Sequence, residues 1–224
     1  MMKNRIRLLM ALFAVAALGA CGAKPTSAPA GVVPNALVTI EAAAEDIIDL
    51  APGGMWDPIG KDVSDIANAW KSYETQAGKD GASQELQDSM KSAIGNLQTA
   101  LAAKDAAATM QGSNDVSAAV VEMFALYHPA IPADIGRLDV LERQVILDVT
   151  AKDYSTAEAD LAKTKSVWEE VKPSALEHDG NDVAAQFEAS LTAQESALSA
   201  KDDTALTTEA RDGLEIVDAL ERLY

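Results

Sequence analysis

The chain repeats itself, and the repeat constrains its fold more than any local motif does. Leu86, Met90, Ile94 and Leu101 recur as Val183, Phe187, Leu191 and Leu198, each 97 positions later. Trp70 recurs as Trp168, and Pro34, Leu37 and Ile40 as Pro132, Ile135 and Leu138, all 98 later; Leu126-Tyr127 recurs as Leu223-Tyr224 at 97. A finer period lies beneath, because Ala-Lys-Asp stands at 103–105, 151–153 and 200–202, each time between two apolar-periodic stretches. The unit is read as a helical hairpin of about 48 residues used four times. The Asp of each triplet is expected to cap the following helix, its carboxylate accepting from free backbone donors at the positive end of the dipole. The first hairpin departs from the pattern and turns through Ala51-Pro52-Gly53-Gly54-Met55-Trp56.

Eight stretches carry one apolar stripe each, with spacings of three and four that fit helices and no alternation that fits strands. They are marked by Leu37 to Leu50, Ile59 to Tyr73, Leu86 to Leu101, Asp105 to Tyr127, Ile135 to Val149, Leu161 to Val171, Val183 to Leu198 and Leu206 to Tyr224. Pro52-Gly53-Gly54, Gly78 with Gly81, Pro129 with Pro132, and Asp179-Gly180 read as breaks. Pro173 is expected to bend or end the sixth helix, since it lacks a backbone donor. The fold expected is all-α, with two up-down four-helix units from duplicated hairpins; the alternative is a short αα-solenoid. Trp70 and Trp168 are expected in the cores.

The N-terminus has a different character. Lys3, Arg5 and Arg7 precede an uncharged apolar run, Leu8 to Leu18, too short to span a bilayer comfortably, and Leu18-Gly19-Ala20-Cys21 follows. This segment resembles the lipobox of bacterial lipoproteins. The resemblance implies cleavage before Cys21, lipid on its thiol and acylation of the new amine. It also implies, from Gly22 in place of Asp, an outer-membrane address facing the periplasm. Cys21 is the single cysteine in the chain, which excludes an intramolecular disulfide. Residues 1–20 are then a removed signal peptide and 21–34 a lipidated, flexible Pro/Ala/Gly-rich tether, with the two repeat halves at 35–128 and 129–224.

Removing residues 1–20 takes three of the 18 basic residues and none of the 35 acidic ones, leaving 15 against 35, a net −20. Such a surface repels phosphate backbones and anionic headgroups, so nucleic acid is excluded as a partner and the membrane is reached through the lipid on Cys21. Chemistry-bearing constellations are missing: there is no H-E-x-x-H, no G-x-S-x-G and no C-x-x-C-H. His128 and His178 are read as surface histidines near helix ends. The stripe Glu41, Glu45 and Asp49 is read as a solvated face, and Arg137, Asp139, Glu142 and Arg143 as helix-surface ion pairs. Met55 and Trp56, a large apolar pair after a Pro-Gly-Gly turn, are the candidate contacts for a partner or ligand, against a packing role at the bundle end.

The expected function is therefore a non-enzymatic, membrane-anchored binding or scaffold module of the cell envelope. It would hold an envelope protein or a small ligand between its halves, with no cofactor. The alternatives are a metal- or cofactor-binding periplasmic protein and, last, an enzyme. In architecture alone, duplicated helical bundles resemble imelysin-like and iron-uptake lipoproteins; their motif residues do not occur here and no site carries over. The anchor is tested by labelling cells with a fatty-acid analogue. The natural chain should take up label and the Cys21→Ser variant should not; equal labelling of both, or of neither, contradicts a lipidated Cys21.

Overall fold

The computed structural model describes residues 31–224. The signal segment, Cys21 and the tether as far as residue 30 lie outside the described residues. The described chain folds into eight α-helices: α1 (Asn35–Leu50), α2 (Trp56–Asp80), α3 (Gln84–Ala103), α4 (Ala106–Ala125), α5 (Ala133–Thr150), α6 (Tyr154–Glu177), α7 (Asn181–Ala200) and α8 (Asp203–Glu221). Lengths repeat between the halves: 16, 25, 20 and 20 residues, then 18, 24, 20 and 19.

Each half closes on itself. α1 packs on α2 and α4, and α3 on α2 and α4; in the second half α5 packs on α6 and α8, and α7 on α6 and α8. An up-down-up-down ring of this kind is a four-helix bundle, and each ring has its own core. The first core contains Ile40, Trp70, Met90 and Met123, the second Leu138, Trp168, Phe187 and Val217. Trp70 stands edge-on to Tyr73 with ring centres 6.2 Å apart, and Trp168 lies 4.9 Å from Phe187, so both repeated tryptophans are core anchors.

The three Ala-Lys-Asp turns share one geometry. Lys104, Lys152 and Lys201 adopt left-handed backbone at φ 51°, 63° and 53°. The Lys N–H bonds back to the carbonyl three residues earlier, and the Asp N–H to the carbonyl five residues earlier, at 2.9–3.1 Å. This is a Schellman closure, which satisfies the last carbonyls of the outgoing helix. The Asp side chain then accepts from the N–H three residues on: Asp105 from Ala108, Asp153 from Thr156 and Asp202 from Ala205. One tripeptide thus ends a helix, reverses the chain and starts the next helix.

Pro173 does not end α6, which continues to Glu177. The proline leaves the Glu169 carbonyl without its helical donor, but Pro173 and Glu169 are both exposed, so water can supply the missing bond. The chain enters the body beside the link between the halves, where the Gly31 N–H donates to the Tyr127 carbonyl at 2.5 Å.

The caps give a direct test. Asp153 also accepts from the hydroxyls of Ser155 and Thr156, both at 2.8 Å. Asp153→Ala should cost about 1 kcal/mol and lower Tm by roughly 2–4 °C in a thermal melt; an unchanged Tm would show that the cap is not used.

Candidate functional site

The two bundles meet along a seam formed by α4 and α5. Gly136 makes the close approach possible, because a Cβ there would stand 3.0 Å from Val121 Cγ2. Polar groups then lock the register. Gln111 and Gln144 exchange amide hydrogen bonds at 2.9 and 3.1 Å. Asn114 Nδ2 donates to the Val140 carbonyl and to Gln144 Oε1 at 3.1 and 3.0 Å. Arg137 grips both oxygens of Glu122 at 2.6 and 2.8 Å, a fork-on-fork pair.

α5 therefore has neighbours on three sides, α4, α6 and α8. The ion pairs expected on it do form, Arg143 with Asp139 and Arg137 with Asp134, but Asp139 and Arg143 are mostly buried and Glu142 belongs to no such pair. Glu142 is wholly buried, and the Asp139 side chain retains 15% exposure. Arg143 bonds to Asp139 Oδ2 at 2.6 Å and reaches across to Glu45 Oε1 on α1 at 2.8 Å. Glu45 and Arg143 occupy equivalent places in the two halves, so the duplicated positions meet across the seam.

On the α1–α8 side the seam opens into two clefts lying end to end, of about 430 and 520 Å3. The first is lined by Val38, Val121, Phe124, Ile131 and Gly136, with Glu41 and Glu221 facing one another. The second is lined by Ile48, Met110, Ile146, Leu147 and Leu214, with Asp49, Asp139, Glu215 and Asp218 opposed by Arg143 and Arg211. Of the acidic stripe on α1, Glu41 and Asp49 edge the two clefts; Asp49 is exposed and the Glu45 side chain keeps 44% exposure, so only Glu41 is drawn away from a solvated face. Burial, then the charges of Glu45, Glu221 and Asp139, pushes the Glu41 carboxyl up to about 7. Burial pushes Asp139 up to about 7 as well, against the pull of Arg143. Glu221 is raised too, by burial and then by Asp218 and Glu45.

A second polar feature sits inside the second bundle. Gln194 Nε2 donates to both oxygens of Glu142 at 3.1 and 2.9 Å and lies 3.2 Å from Ser190 Oγ. Gly213 makes room, since a Cβ there would stand 2.8 Å from the Glu142 carboxyl carbon. The equivalent positions of the first bundle are Ala44, Leu97 and Val116, all buried and apolar. Burial raises the Glu142 carboxyl to about 8, although Gln194 pulls it down.

The other candidates are placed apart. Met55 is 51% exposed, Trp56 packs half-buried on the first core, and neither belongs to the groove walls. His128 and His178 are both exposed; His178 lies against the Tyr224 ring at 4.4 Å. Among the described residues, no group of three or more His, Cys, Asp or Glu side chains is placed to hold a metal ion. No helix among them is long and apolar enough to cross a membrane. Comparison with protein-family models, curated proteins and solved structures finds no match to the chain.

Glu142 makes stability depend on pH. Its carboxyl rises from 4.5 to about 8 on folding. Between those values the folded chain keeps a proton that the unfolded chain has released. Its contribution is complete below pH 4.5 and falls as pH rises toward 8, by about 1.4 kcal/mol per pH unit for one proton. Urea titrations at pH 5 and pH 8 should show the natural chain losing a few kcal/mol more than Glu142→Gln. Equal losses would mean that the buried carboxyl is ionised throughout.

Proposed function

We propose that the chain is a lipid-anchored, non-enzymatic binding or scaffold module of the bacterial cell envelope, held at the outer membrane and facing the periplasm. The observation that carries the reading is the groove along the seam. Two self-contained bundles need no groove to be stable, yet their junction keeps apolar side chains open to solvent and sets carboxylates against one another across the gap. Repulsion of this kind, offset only in part by Arg143 and Arg211, is a cost to the free protein that a bound cationic ligand removes. The lipobox-like segment supplies the address. The point where the chain enters the body, beside Tyr127, lies next to the cleft lined by Phe124 and Ile131.

The alternative of a metal-handling protein draws on the convergence of Glu41, Asp139 and Glu221. Three carboxylates in electrostatic reach are not a coordination shell, and the apolar lining of the clefts suits an ion poorly.

The reading is tested on the chain isolated from its own envelope without chelator, by native mass spectrometry beside a Val38→Asp, Leu214→Asp variant. Val38 is 46% exposed, so the first change disturbs little packing. A stoichiometric adduct on the natural chain that is lost in the variant is the expected result. Bare mass for both, with no partner crosslinked in intact cells, would overturn the reading.

A further inference from the structure

We propose that the groove receives a basic amphipathic helix, a cationic helical segment of a partner protein laid between α1 and α8 with its apolar stripe on α4 and α5. This deepens the binding-module reading and rests on it. Three features select this occupant.

Shape comes first. The two clefts run along α1 from Val38 to Asp49, roughly 16 Å at 1.5 Å per residue, or about three helical turns. The four lining helices form two walls and a floor, the arrangement in which a helix is held in a groove.

The floor comes next. Phe124 and Val121 at one end, and Ile146 and Leu147 at the other, offer apolar surface at two levels along the groove. An occupant with apolar residues recurring every third or fourth position would cover both levels, whereas a compact cation would cover neither.

Charge comes third. The α1 wall carries Glu41, Glu45 and Asp49, and the α8 wall carries Glu215, Asp218 and Glu221. Asp139 rises between them, and the cations of the groove are Arg143 and Arg211. Even with Glu41 and Asp139 raised to about 7, seven carboxyls against two guanidiniums leave a negative excess along the groove. Arg143 is already engaged by Glu45 and Asp139. The α8 wall enters without a matching feature in the first half: Met110, Val121 and Phe124 of α4 line the same clefts with no charge. A helix with Lys or Arg on both flanks of its apolar stripe would meet a carboxylate rail on each side. Charges of this kind set orientation and exclude acidic competitors.

The test uses the full chain, solubilised from membranes in mild detergent, and a fluorescent synthetic helix of about four turns with a Leu stripe flanked by Lys. Fluorescence anisotropy should show saturable binding that weakens with salt. Glu41→Gln, Asp218→Asn, Glu221→Gln together should weaken it about tenfold, while Glu158→Gln, Glu169→Gln, Glu170→Gln on exposed α6 should leave it unchanged. A peptide of the same composition with its apolar stripe scrambled should bind far less. Equal binding of the scrambled peptide, or equal loss in both triple variants, would show attraction to overall acidity alone and overturn the proposal.

A photo-crosslinking residue at position 38 in living cells separates the two levels of the account. Absence of peptide binding with a discrete non-basic crosslinked ligand would sink the helix proposal and keep the binding-module reading. Absence of both would sink both.

Discussion

The α4–α5 seam is the contact on which the rest of the molecule depends. Four-helix bundles are complete units, and two of them joined by a short link need not touch at all. Here the link is Leu126 to Pro132, and the bundles touch along a full helix pair. Gly136 lets the backbones approach, the Gln111–Gln144 amide pair fixes register, and the Arg137–Glu122 fork holds one end. The Gln111–Gln144 pair is half-buried and adds little net stability, but the Asn114 amide is buried, and a shifted register would leave its donors without partners. The seam is therefore specific before it is strong.

Placing α5 in that seam has consequences for every charged residue on it. A helix on the outside of a bundle has one face in water; α5 has contacts on three sides. Its polar residues are drawn into three different environments. Arg137 and Gln144 serve the seam. Asp139 and Arg143 sit at the bottom of the groove. Glu142 turns into the core of the second bundle, where Gly213 leaves space for it and Gln194 hydrogen-bonds it. The same helix thus joins the halves, shapes the groove and makes the second bundle sensitive to pH. The two bundles differ in their interior chemistry while sharing their architecture: where one has the apolar side chains of Ala44, Leu97 and Val116, the other holds a buried carboxyl and its amide partner.

The architecture was readable because it rests on local rules. Helix stripes, glycine and proline breaks and the Ala-Lys-Asp caps each depend on residues near one another in sequence, and the 97-residue repeat counts the helices twice. The site was less readable because it depends on how the halves meet. Nothing in the sequence of α1 says that Glu41 shares a cleft with Glu221 of α8 or that Glu45 meets Arg143 of α5, so both read with Asp49 as a solvent face. Glu142 has the look of a partner for neighbouring arginines for the same reason. One signal was available: comparing the repeats sets Glu142 against Ala44, Gln194 against Leu97 and Gly213 against Val116. Three departures from apolar core positions in register with one another mark a polar layer. Of the two outcomes expected at Pro173, a bend or an end, the end does not occur, because the cost of a proline depends on whether the freed carbonyl can reach water, which is a property of the surface and not of the sequence.

The central claim is that the seam holds the two bundles as one body with a groove of fixed width. It is tested most directly by pulsed electron–electron distance measurement across that groove. Spin labels are placed at Ala42→Cys on α1 and Asp212→Cys on α8, both exposed positions, in a full chain carrying Cys21→Ser. The account predicts a single narrow distance distribution. A broad or two-peaked distribution would mean that the bundles move independently, and would contradict both the seam and the groove built on it.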